Sequence, residues 1–289
     1  MAIIYSVLWN NQINYGGIRM DFNELRQITN ETDKVNALYD IFNEAMRLES
    51  KAGQVEFLTS VHAIKQVLKP GMRILDLGAG TGRYSLYFAN LGYKVTAIEL
   101  TKKHAQLINT SKTNEMDLTV ICGNAVEEMK QLKNETYDII LCFGPLYHLE
   151  QEKDRVECIQ QMKRVLTKEG TMFFAFINND FVFATETQYE CNYLESSDYE
   201  HDTFLLHNFP FIFYTPNSAR ALLHNCNITI TNEIAQDGLS ELLADKINDM
   251  SEAAYSQWLN YHLYISQKPE FFGASNHLLF VGKKENGEG

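Results

Sequence analysis

The chain has 289 residues and a mass of 33.2 kDa, with 45% hydrophobic and 21% charged residues. That composition supplies a full core and excludes global disorder, and the length suits one large α/β domain, or a core with a lid, better than a string of modules. Asp and Glu outnumber Lys and Arg 37 to 25, giving a net charge of −12 and a pI near 5.1; this argues against a nucleic-acid partner, which requires cationic side chains gathered on one face.

Met1–Trp9 is apolar but has no basic n-region and no small-residue cleavage site, so it is not read as a signal peptide. Gly16-Gly17 lies just upstream of Met20. Two Gly codons can encode a ribosome-binding purine run, so Met1 and Met20 compete as the start. Residues 21–69 read as helical: Val35, Leu38, Tyr39, Phe42, Met46 and Leu48 recur every three or four positions, and Val55–Leu68 repeats the pattern after Gly53. Lys69-Pro70-Gly71 then stops the helix.

Strand and helix signals alternate from there. Strands are expected at Arg73–Leu77, Lys94–Ile98, Leu118–Cys122, Tyr137–Phe143 and Thr171–Ile177. Helices are expected at Tyr84–Leu91, from Thr101 to about Glu115, at Val126–Leu132 and at Gln151–Leu166. Nearly continuous apolar strands separated by helices predict a doubly wound, Rossmann-like α/β fold with a mostly parallel sheet buried on both faces. The alternation breaks at Asn178. Residues 178–215 are polar but crowded with Phe and Tyr, and read as an insertion over the carboxyl end of the sheet. A helix at Pro216–His224, a strand at Ile228–Ile234, a helix near Glu252–Ser266 and a strand at His277–Gly282 follow, and a charged tail, Lys283–Gly289, is expected to fray. The expected organisation is an N-terminal segment with helices at 1–54, a core at 55–178, a lid at 179–215 after the fifth strand, and completion of the core sheet at 216–289.

Ile74–Gly82 (ILDLGAGTG) is the most informative stretch. It falls where the first strand turns into a helix, at the carboxyl edge where open α/β sheets bind ligands. Its glycines permit positive φ and close approach of a ligand to the backbone. The dinucleotide fingerprint is GxGxxG; here the glycines run GxGxG and Arg83 stands in the third place, which counts against a nicotinamide pyrophosphate. Asp76, just before the loop, would repel phosphate and welcome an ammonium group. Glu99 ends the second strand, where a carboxylate accepts from ribose hydroxyls.

With these features in this order, the chain resembles the class I S-adenosylmethionine-dependent methyltransferases, of the bacterial small-molecule type. The likeness rests on Asp76–Gly82, on Val95–Leu100 (VTAIEL), on Gly123–Glu127 (GNAVE) and on Tyr137–Leu149 (YDIILCFGPLYHL). It is close over about residues 55–178. The resemblance implies that Gly78, Ala79 and Gly80 line the methionine portion of S-adenosyl-L-methionine, with Asp76 near its amino group. It implies that Glu99, followed by Leu100, holds the ribose hydroxyls. The Ala125 amide would bond the adenine ring and the Asn124 side chain would meet the exocyclic amine; many relatives have Asp there, but Asn can still accept one hydrogen bond. Phe143 would sit beside the cofactor.

Methyl transfer from a sulfonium is an in-line displacement, so the protein must position an acceptor and exclude water. The loop Gly144–Leu149 follows the fourth strand, and Tyr147 or His148 could take a proton from an OH or NH acceptor. The plain alternative for His148 is a helix cap or a bond to a carbonyl. The loop is not the NPPY sequence of nucleobase amino methyltransferases. His201 and His207 read as surface or packing residues, and His62, His104, His224, His262 and His277 carry no usable pattern. The cysteines at 122, 142, 158, 191 and 226 are odd in number with no CxxC pair, so neither disulfides nor a metal site is expected; Cys122 and Cys142 are expected to pack as small hydrophobes. No segment is long and apolar enough to cross a bilayer. The expectation is a cytoplasmic enzyme methylating a small molecule. A protein or RNA methyltransferase, or a non-catalytic S-adenosylmethionine-binding protein, is the alternative.

Overall fold

The computed structural model describes residues 22–41 and 49–285. The question of Met1 or Met20, the helical positions Phe42, Met46 and Leu48, and the last four residues of the tail lie outside them. Two short helices, α1 (Phe22–Gln27) and α2 (Glu31–Ile41), precede α3 (Lys51–Val67). Ser50 caps α3 by accepting from the Gly53 amide at 3.1 Å, so this helix runs through Gly53 instead of restarting after it. Past Leu68 the chain is extended, and Gly71 turns it at φ +82°.

The alternation follows: β1 (Arg73–Leu77), α4 (Arg83–Asn90), β2 (Lys94–Glu99), α5 (Lys102–Ser111), β3 (Leu118–Cys122), α6 (Ala125–Gln131), β4 (Tyr137–Cys142), the single turn α7 (Pro145–His148), α8 (Glu152–Val165) and β5 (Leu166–Asn178). β5 starts five residues before the expected Thr171, because Leu166 already turns extended at ψ 137°. Gly170 lies inside the strand, where a Cβ would meet Leu166 Cδ1 at 2.6 Å. The insertion consists of α9 (Asn179–Tyr189), a hairpin of β6 (Tyr199–Glu200) and β7 (Leu205–Leu206), and the short β8 (Phe213–Tyr214). The chain closes with α10 (Pro216–Asn225), β9 (Ile228–Ala235), α11 (Ala244–Asn248), α12 (Glu252–Ile265), α13 (Pro269–Phe272) and β10 (His277–Lys284).

The sheet order is β3-β2-β1-β4-β5-β10-β9, with β8 added beside β5. β1 to β5 pair in parallel, and β10 runs antiparallel between β5 and β9. The mostly parallel, doubly wound reading holds. The order reverses between β2-β1 and β1-β4, which puts a crevice at the carboxyl ends of those strands.

Each strand divides its side chains between two cores by the two-residue period of a pleat. Ile74, Leu141, Phe173 and Leu279 face α3 and α4 through Phe57, Val61, Ile64 and Phe88. Leu75, Ile140, Phe174 and Phe280 face α6, α8 and α10 through Met129, Ile159, Met162 and Leu223. Both faces are therefore covered, and that is why the strands read as unbroken apolar runs. A smaller core joins Leu25 of α1 and Leu38 of α2 to Val182, Tyr193, Tyr199, Leu206 and Phe211 of the insertion. This cluster thus draws on segments from both sides of the core in sequence. Cys142 is buried as expected, whereas Cys122 is exposed because β3 is an edge strand of the sheet. Among the described residues, no helix is long and apolar enough to cross a membrane.

Candidate active site

The crevice at the switch in strand order is shaped first by glycines. The amides of Gly78 and Ala79 both donate to the Ile98 carbonyl, at 2.9 and 3.1 Å, and so tie the loop after β1 to the end of β2. Gly82 starts α4 at φ +85°, and a Cβ there would lie 2.6 Å from Ile108. Gly78, at φ +67°, lets Pro145 of α7 close to 3.0 Å of where its Cβ would be. Side chains at either position would be strained and would push neighbouring elements away. Arg83, in the third place of the dinucleotide fingerprint, stacks its guanidinium 4.6 Å above the Phe57 ring.

Glu99 is 5% exposed and is the electrostatic centre of the crevice. Its Oε2 accepts from the Gly80 amide at 2.8 Å, and its Oε1 accepts from the Thr101 amide at 2.7 Å and hydroxyl at 2.8 Å. His104 Nδ1 lies 3.7 Å from Oε1, and the ring stands edge-on to Tyr39 at 5.5 Å. The Thr101 cap of α5 brings His104 there, since it accepts from the His104 amide. His104 was illegible as a lone histidine; the signal was its place three residues after a capping Thr.

A cavity of about 690 Å³, partly open to solvent, extends from Glu99. Its walls include Gly78, Gly80, Ile98, Leu100, Asn124, Ala125, Pro145 and His148, and its roof is Glu31, Thr32, Val35 and Tyr39 of α2. The roof is pinned by Lys34 to Glu150, and by the Glu150 amide donating to Glu31 at 3.1 Å. No local pattern in the sequence announced these contributions from α2.

Among the expected ligand residues, the structure brings Gly78, Gly80, Glu99, Leu100, Asn124, Ala125 and His148 to this one cavity. Asp76 does not line it. Asp76 is 1% exposed, and its carboxylate accepts from Ser85 Oγ of α4 at 2.6 Å. Burial, with the charge of Glu99 adding, pushes Asp76 up to about 6. Ala79 is buried and Phe143 half-buried, both in the core beneath, with Phe143 edge-on to Tyr84 at 4.9 Å. Asn124 caps α6: its Oδ1 accepts from the Val126 and Glu127 amides at 2.9 and 3.3 Å. The oxygen expected to meet an exocyclic amine is therefore already engaged.

Tyr147 and His148 diverge. The Tyr147 hydroxyl donates to the Phe143 carbonyl, and its own carbonyl accepts from the Ile212 amide at 2.9 Å, so it fastens α7 to the insertion. His148 faces the cavity with Nε2 2.9 Å from the Tyr39 hydroxyl, while its Nδ1 is shut from solvent without a partner among the described residues. Burial pushes this imidazole down to about 4, so it is neutral near pH 7.

A doubly wound sheet with a glycine loop, a carboxylate after β2 and a capped turn after β3 defines the class I methyltransferase fold. Residues 75–174 match the family described as methyltransferase domain. It is 29% identical over 116 residues to the ubiquinone biosynthesis O-methyltransferase of Xanthomonas campestris pv. campestris, a stretch covering 39% of this chain and 46% of that protein. The chain thus spans about half the length of that curated relative. The PH0226 protein of Pyrococcus horikoshii OT3 superposes with a TM-score of 0.56 at 14% identity, over 86% of this chain and 99% of that one. The 1,6-didemethyltoxoflavin-N1-methyltransferase of Burkholderia thailandensis, solved with bound 1,6-didemethyltoxoflavin and S-adenosylhomocysteine, superposes with a TM-score of 0.52 at 14% identity, over 92% of this chain and 89% of that one. At such identities the superpositions show the fold.

Proposed function

We propose that the protein is an S-adenosylmethionine-dependent methyltransferase acting on a small-molecule acceptor. The observation that carries this is Glu99, held at one cavity wall among the glycine loop, Asn124 and Ala125. The residues fit the cofactor. A carboxylate offers about four lone-pair sites; Gly80 and Thr101 take three, leaving one for a hydroxyl and a second if Gly80 lets go. The Asn124 cap uses the amides of Val126 and Glu127, so that of Ala125 remains for a ring nitrogen.

When bound, S-adenosylmethionine supplies an electrophilic methyl carbon on a sulfonium. The chain's part is to bind, enclose and manage one proton. Val35, Ile98, Leu100, Pro145 and Leu149 give the cavity apolar walls, and α2 roofs it against water. Neutral His148 is the one expected base that faces this space, and it can accept a proton from an OH or NH acceptor. The Tyr147 hydroxyl already donates elsewhere, so its part is to hold α7. A partly roofed cavity on an acidic chain favours a small acceptor over RNA.

Calorimetric titration with S-adenosylhomocysteine and with NAD tests the reading. Binding of the first and not the second is expected, and Glu99→Gln should weaken it by about 1–3 kcal/mol, as for lost hydrogen bonds to a charged group. Binding of NAD alone overturns the assignment.

A further inference from the structure

The roof helix brings a hydroxyl to the expected base. Glu31, Thr32, Val35 and Tyr39 are spaced as one stripe of α2, and all four line the cavity. Tyr39 stands between two imidazoles. Its ring is edge-on to His104 and to His148, with centroids 5.5 Å apart in each case. On one side, His104 Nδ1 lies 3.7 Å from Glu99 Oε1. On the other, the Tyr39 hydroxyl lies 2.9 Å from His148 Nε2.

These positions decide how an acceptor can reach the base. A neutral imidazole takes a proton only at its bare nitrogen. Nδ1 of His148 is shut from solvent, and the rings of Tyr147 and Phe211 pack beside the imidazole at 5.0 and 5.2 Å. A molecule in the cavity has no approach to that atom. Nε2 is left, and the Tyr39 hydroxyl covers it. Direct contact with Nε2 would require Tyr39 to leave the roof, whose helix is held to Glu150 by Lys34 and Glu31. A roof broken there would admit water, which methyl transfer must exclude.

We propose that Tyr39 is a further catalytic residue, whose hydroxyl meets the O–H or N–H of the methyl acceptor and relays its proton to His148 Nε2. The inference rests on the methyltransferase reading above. As the acceptor's lone pair closes on the methyl carbon and the carbon–sulfur electron pair returns to sulfur, the acceptor's proton passes to the Tyr39 oxygen. The Tyr39 proton passes to Nε2 in the same step. Tyr39 ends neutral, as it began, and the imidazole ends with the positive charge. Nδ1 carries a hydrogen throughout, so nothing changes at the sealed atom. A hydroxyl suits this position because it donates and accepts at once, and linked hydrogen bonds polarise one another. Burial keeps the imidazole neutral beforehand and drives it to give the proton up once the roof opens.

The test is nuclear magnetic resonance of the full chain with isotopically labelled histidine rings at neutral pH. His148 is identified by the signals missing from His148→Ala. The relay requires a protonated Nδ1, a bare Nε2 and a Tyr39 hydroxyl proton coupled to Nε2. Tyr39→Phe keeps the ring and removes the hydroxyl; the coupling should be lost, and the Nε2 signal should shift to that of a nitrogen without a hydrogen bond. A protonated Nε2 in the parent chain overturns the relay, since His148 would then donate to Tyr39. An Nε2 signal unmoved in Tyr39→Phe does the same. If that variant fails to fold, the parent spectrum decides alone. Calorimetric titration with S-adenosylhomocysteine separates the two ideas: no binding by a chain whose Nε2 accepts from Tyr39 overturns the methyltransferase reading instead.

Discussion

Asp76 is an acid kept where its charge is disfavoured, and the sign of that effect can be worked out. Its ordinary value of 3.8 rises to about 6 in the folded chain, so the native state holds the proton more tightly than the unfolded one. Stability is therefore lost as pH rises from about 4 through 6, and at neutral pH the buried charge costs about 3 kcal/mol. Asp76→Asn should be more stable than the parent by about 2–3 kcal/mol at pH 7, with the gain vanishing below about pH 4. Urea unfolding at the two pH values checks this; a pH-independent difference would rule out burial as the cause. His148 makes the second residue-scale prediction. Its proton-accepting form prevails above about pH 4, so its contribution to kcat/KM should fall away only below that. His148→Ala should lower kcat by about 10²-fold or more with little change in S-adenosylhomocysteine affinity, whereas Tyr147→Phe should leave kcat near that of the parent. A parental kcat in His148→Ala removes the imidazole from the chemistry. Gly78, Gly80, Glu99 and Ala125 were legible because strand ends and turns fix their backbone. The direction of Asp76 was not, since it depends on Ser85 nine positions away on α4. Asn124 could have been read as a cap from the helix that follows it.

At the scale of elements, the strands were legible because burial on both faces leaves apolar runs that no surface helix produces. β5 shows how closely they fit: Phe173 and Phe174 are adjacent, fully buried, and belong to opposite cores. Phe173→Ala should cost about 3–5 kcal/mol through the cavity it leaves under α3 and α4, read as a shift of the urea midpoint without a change in its slope. A loss below about 1 kcal/mol would mean the helices collapse onto the gap. The insertion was legible as a departure from the alternation but not in its partners. Its aromatic residues seal against Leu25 and Leu38, and contacts between segments so far apart leave no local spacing to read. The same is true of Glu56 and Asp237, which meet at His277 from α3 and from the turn after β9.

The whole molecule combines a sheet assembled largely from neighbours in the chain with a roof assembled from strangers. Leu25 and Leu38 must find Val182 and Phe211 across almost the whole core in sequence. Closing so long a loop sacrifices chain entropy for one small apolar cluster, which puts the roof at the labile end of the hierarchy of local unfolding. Amide hydrogen exchange should therefore be fast together in α2 and in residues 181–211, and slow together when S-adenosylhomocysteine binds; protection of one segment without the other would show that they open independently. During synthesis the consequence is temporal. The glycine loop and Glu99 leave the ribosome well before the insertion does, so the binding crevice exists as an open trough first and becomes an enclosed chamber only once the later half of the polypeptide returns to meet its beginning.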